Sequence, residues 1–72
     1  MKYYYKIVSG TGLSDKCVVP VVADTPEEAE RMLCARYPQV TALGMTEQDW
    51  NHRKYSRIIN GLPLEVVLDE IS

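Results

Sequence analysis

The stretch Ala23-Asp24-Thr25-Pro26-Glu27-Glu28-Ala29-Glu30-Arg31-Met32-Leu33-Cys34-Ala35-Arg36-Tyr37-Pro38 decides the fold, because it specifies a helix at both ends. Thr25 is a good N-cap, Pro26 suits the first helical position, and Glu28 completes a Thr-x-x-Glu capping box. Glu27, Glu28 and Glu30 suit the positive end of the helix dipole, and Glu27 and Arg31 form an i,i+4 pair. Ala29, Met32, Leu33 and Tyr37 fall on one face, and Pro38 stops the run.

On either side of this helix the sequence reads as strand. Tyr3 to Val8 is aromatic and β-branched; Tyr3, Tyr5 and Ile7 point one way, and Tyr4, Lys6 and Val8 the other. The first set carries no charge and is the expected core face. Ser9-Gly10-Thr11-Gly12-Leu13-Ser14-Asp15 is a turn-rich connection into a second strand, Lys16 to Ala23, with Cys17, Val19, Val21 and Ala23 on one face. Pro20 has no N–H to give a ladder, which places this strand at a sheet edge. Val40 to Met45 reads as a third strand. The expected fold is α+β: a small antiparallel three-stranded sheet in the order 2-1-3, covered by the helix, with a right-handed crossover. Residues 1–72 form one domain in this reading, β-β-α-β followed by one or two C-terminal helices.

After Met45 two readings compete. Thr46 can cap a helix whose first turn holds Glu47 and Asp49, with Met45 stapled onto Trp50 and Asn60-Gly61 as its end. Pro63 and the spacing of Leu64, Val67, Leu68 and Ile71 then favour a short terminal helix. The rival takes Tyr55–Ile59 and Leu64–Leu68 as a hairpin turning at Asn60-Gly61.

Composition narrows the function classes. An apolar fraction of 46%, a charged fraction of 25% and a net charge of −2 suit a globular chain with no global field for nucleic acid or anionic membrane. No run approaches the roughly 20 apolar residues of a membrane span, so the expected location is cytoplasmic and no membrane partner is expected. Cys17 and Cys34 are too few for a zinc or disulfide framework and read as small buried hydrophobes.

Gly10-Thr11-Gly12-Leu13-Ser14-Asp15-Lys16 lacks Gly-Lys-Ser/Thr and leads into a strand rather than opening a helix, so it reads as a hairpin loop and not a phosphate cradle. His52 is the one histidine, with no metal-ligand spacing around it and no nucleophile motif to serve. No cofactor, metal or catalytic residue is assigned, and the chain is read as non-enzymatic. Glu65, Asp69 and Glu70 read as a solvated face.

The basic segment His52-Arg53-Lys54-Tyr55-Ser56-Arg57 stands beside Trp50, and every aromatic residue here is Tyr or Trp, types favoured where a surface is half wet. The leading expectation is a protein-binding module. It would use strand addition at Lys16–Ala23 or a patch of Tyr4, Lys6, Trp50, Arg53 and Arg57. The alternative is a nucleic-acid-binding accessory protein using residues 52–57, although Leu64–Glu70 carries no base-reading side chain. A homodimer through the edge strand or the terminal helix is a third possibility.

The Met1-Lys2-Tyr3-Tyr4-Tyr5 start and the strand leading into Asp24-Thr25-Pro26-Glu27-Glu28-Ala29 give a layout over roughly residues 1–45. It resembles very short phage and mobile-element α+β proteins, including anti-CRISPR proteins. That resemblance implies an inhibitor that occupies the surface of a host complex such as a CRISPR effector, and it transfers no site residue.

Overall fold

A computed structural model describes residues 1–10 and 12–72; Thr11, part of the Gly10–Lys16 loop, lies outside the described residues. The elements run β1 (Lys2–Ser9), β2 (Cys17–Val22), α1 (Pro26–Arg36), β3 (Thr41–Thr46), α2 (Glu47–Ile59) and β4 (Val66–Val67). The sheet order is β3-β1-β2-β4. β1 is antiparallel to both β2 and β3, as expected, whereas β4 is parallel to β2 and makes the sheet mixed.

Both crossovers are helical and use opposite faces. α1 carries the chain from β2 past β1 to β3, and its Ala29 and Leu33 pack on Tyr3, Tyr5, Ile7, Val19 and Val21. The Thr25 hydroxyl accepts from the Glu28 N–H at 3.1 Å, fixing the start of α1 as its capping sequence demands. Thr46 ends β3 and caps α2 without an intervening loop, accepting from the Asp49 N–H at 3.1 Å. The chain therefore turns straight onto the other sheet face, where Trp50, Tyr4 and Val18 form a second core with Met45 packed against it. The Tyr4 and Trp50 rings stack with centroids 5.5 Å apart.

At the end of α2, Gly61 has φ +68° and the chain closes with two bonds, Gly61 N–H to Ile58 C=O and Leu62 N–H to Arg57 C=O. These are the pair of a Schellman cap, which satisfies carbonyls the helix would otherwise leave orphaned. The second C-terminal helix expected beyond this cap does not form: residues after Pro63 are extended and lie along β2. The apolar spacing of Leu64, Val67, Leu68 and Ile71 does mimic a helix. The outward N–H and C=O groups of β2 supply a stronger demand, because unpaired backbone groups beside a core are costly. Val66 N–H donates to Lys16 C=O, Leu68 N–H to Val18 C=O, and Ile71 N–H to Pro20 C=O.

The expected open edge at strand two is thereby also corrected. Pro20 does face that edge, but the C-terminal segment covers it. Pairing runs Val18 to Val67 and Val21 to Ile71, so the segment uses one residue more than β2 across the interval that contains Pro20. The missing proline N–H accounts for that break in register. Leu68 and Ile71 then pack against the α1-side core. Cys17 is buried as expected; Cys34 is exposed, and both are free thiols. No helix among the described residues is long and apolar enough to cross a membrane.

Candidate functional site

α2 brings Arg53 and Arg57 to one face because they stand one turn apart. Each is anchored through its Nε–H. Arg53 pairs with a carboxylate oxygen of Glu65, and Arg57 donates to the Pro63 carbonyl at 2.8 Å. Across from them, Lys6 of β1 donates from Nζ to the Asp15 carbonyl at 2.9 Å, which ties the β1–β2 connection to the sheet. Lys6, Asp15, Lys16, Arg53, Arg57 and Glu65 together line a cavity of about 320 Å³. Arg53 and Arg57 also wall a shallower hollow of about 500 Å³ that includes His52, Ser56 and Leu62.

Of the five residues expected to bind a partner, the structure brings Lys6, Arg53 and Arg57 together. Tyr4 and Trp50 lie behind them, buried in the core of that face, so the wet aromatic surface expected of them is absent. Their half-polar character has a different use: the Tyr4 hydroxyl reaches Glu47 at 3.5 Å, and Lys54 lies over the Trp50 ring at 5.5 Å. The basic run 52–57 is therefore split, with only Arg53 and Arg57 reaching the cavity beside Lys6 and Lys16.

Sequence reasoning missed Lys16 and Glu65. Glu65 is only 8% exposed, and its Oε2 has no hydrogen-bond partner among the described residues. A buried carboxylate needs a charged partner, and Arg53 supplies it. No local signal marks Glu65: its neighbours Leu64 and Val66 are both more than half exposed, so the charge faces in and the apolar side chains face out, the reverse of what alternation on a half-buried strand suggests. That inversion extends a broader feature, since Ile58, Ile59 and Leu62 at the end of α2 are likewise more than half exposed.

Among the described residues no group of three His, Cys, Asp or Glu side chains is gathered for a metal ion. Elsewhere, Lys2 pairs with Glu70 at 2.9 Å, and that hydrogen bond holds its ammonium above the ordinary lysine range. No protein-family model, curated protein or solved structure matches this chain.

Proposed function

We propose that this chain is a non-enzymatic binding module that docks a protein partner on the end of α2 and the segment leading into β4. One observation carries the reading: Ile58, Ile59, Leu62, Leu64 and Val66 are each more than half exposed within one short stretch. A single exposed Leu is ordinary, but a cluster on so small a protein marks an interaction surface. Covering what each still exposes contributes about 1–1.5 kcal/mol at 25 cal/mol per Å² of apolar surface. Five such side chains give about 6 kcal/mol, which only meets the cost of association, so polar contacts at the rim must supply the remaining affinity. An inhibitor of the phage type would use such a surface to occlude a host complex.

The test compares the protein with its Ile58→Asp/Leu62→Asp variant, both immobilised and exposed to the same nuclease-treated host lysate. The two positions are exposed, so the variant is expected to keep its circular dichroism spectrum. A stoichiometric protein retained by the parent and lost by the folded variant supports the reading. Equal retention by both, or retention by neither, overturns it.

A further inference from the structure

Four of the eight Lys and Arg residues of a chain with net charge −2 line one cavity: Lys6, Lys16, Arg53 and Arg57. Three of the other four are engaged elsewhere, Lys2 with Glu70, Arg36 over the Tyr37 ring and Lys54 over the Trp50 ring. Within the cavity few of the donors are consumed by internal bonds. A guanidinium carries five N–H donors. Arg53 and Arg57 each use only Nε–H in a bond to the protein, and their terminal amino groups have no partner among the described residues. Lys6 commits one of its donors to the Asp15 carbonyl, and the Lys16 ammonium forms no ion pair among the described residues.

The anchoring bonds matter because they fix the forks without consuming them. Held at Nε, both guanidinium planes are set before a ligand arrives, which lowers the ordering cost of binding. The acids in the cavity are Asp15 and Glu65, and Glu65 is engaged by Arg53, so the local balance stays positive. Two planar forks and two ammonium groups around about 320 Å³ suit a tetrahedral oxyanion with several acceptor oxygens. The unpartnered Oε2 of Glu65 accepts only from a donor, so at this oxygen the ligand must present an O–H, as a monoprotonated phosphate does.

We infer that the cavity between α2, the β1–β2 connection and the segment before β4 binds a phosphate group, carried by a nucleic-acid backbone or by a small phosphorylated molecule. This site adjoins the apolar docking surface but uses different side chains, so substitutions test the two separately.

The experiment is a titration of the isotope-labelled protein at low salt, following backbone amides and arginine Nε–H signals by NMR. The probes are inorganic phosphate, ribose 5-phosphate and a twelve-residue oligodeoxythymidylate. Saturable shifts centred on Lys6, Lys16, Arg53 and Arg57 with inorganic phosphate are expected. Lys16→Gln, at an exposed position with no side-chain bond to lose among the described residues, is expected to weaken them at least threefold, and Arg57→Gln more. If the oligonucleotide binds tighter and loses about sevenfold in affinity between 50 and 200 mM salt, as two neutralised phosphates on a single strand require, the source is a nucleic-acid backbone. If ribose 5-phosphate binds tighter, the source is a small phosphorylated molecule. No saturable shift with any probe, or shifts unchanged in a folded Lys16→Gln protein, overturns the inference.

Discussion

Trp50 is the residue on which the second core depends. It is 3% exposed and packs with Tyr4 and Val18, so its loss leaves a void rather than a vacant contact. Trp50→Ala is expected to cost about 3–5 kcal/mol, close to the entire stability of a small domain, and urea unfolding followed by circular dichroism measures it. A lost binding activity in that variant would report unfolding; a cost below about 1 kcal/mol would show that α2 is held by something else. Gly10 makes a second residue-scale case. Its φ is +119°, and a Cβ there would fall 2.2 Å from the Gln39 carbonyl oxygen, so Gly10→Ala must move the turn before β3. Tyr5 adds a pH dependence. Burial, helped by Glu30, Tyr3 and Glu27, raises its phenol above the ordinary value of 10.0. The folded state thus holds a proton that the unfolded state releases. Stability from this source is intact below pH 10 and falls as pH rises through the raised value. Tyr5→Phe is expected to flatten that alkaline decline in a series of urea titrations, and an equally steep decline in the variant would assign it to other groups.

At the scale of elements, the C-terminal segment closes the edge of β2. Removing residues 65–72 leaves the Lys16, Val18 and Pro20 carbonyls and the Val22 N–H without the partners they have in the C-terminal segment, and strips Leu68 and Ile71 from the core. Such an edge pairs with other chains. The truncated protein is expected to form dimers or larger species by light scattering, and a stable monomer would mean that Pro20 alone blunts the strand. This element also marks where local sequence patterns mislead. α1 was legible from Thr25 to Pro38 because its cap, dipole charges, apolar face and stop are all local. The faces of β1 and β2 were legible because alternation is local too. β4 was not: Leu64, Val67, Leu68 and Ile71 fit a helical spacing, and the row of backbone groups on a strand far upstream overrides it. The site divides the same way. Arg53 and Arg57 form a readable i,i+4 pair, and Lys6 stands on a readable strand. Lys16 joins them through the β1–β2 hairpin, where Lys6 stands opposite Val18, and Glu65 joins only because β4 runs beside β2, a pairing that no local pattern encodes.

For the whole molecule, the question is whether two cores on opposite sheet faces unfold as one. They share strands: Tyr4 lies between Tyr3 and Tyr5, and Val18 between Cys17 and Val19, with alternate side chains serving opposite cores. α2 nevertheless leaves half its length in water, since Tyr55, Ile58 and Ile59 are exposed, and it could in principle open alone. Magnitudes decide against this. Lifting α2 exposes Trp50 and Tyr4, and each large aromatic buries about 150–250 Å², or about 4–6 kcal/mol at 25 cal/mol per Å². The sum, about 8–12 kcal/mol as an upper value before the entropy gained by freeing α2 is subtracted, is of the same order as the net cost of unfolding a small domain. Opening α2 alone is therefore expected to cost a large part of the whole stability, and the two faces to unfold together. The Trp50 fluorescence transition in urea should coincide with the far-ultraviolet circular dichroism transition, as two-state unfolding demands. Leu33→Ala, on the opposite face from Trp50, is expected to cost about 2–4 kcal/mol and to lower both midpoints equally. If fluorescence moves first, or if Leu33→Ala shifts only the dichroism signal, the two faces are separate cooperative units. The surface at the end of α2 would then belong to a helix that detaches, and docking there would have to be measured together with that opening.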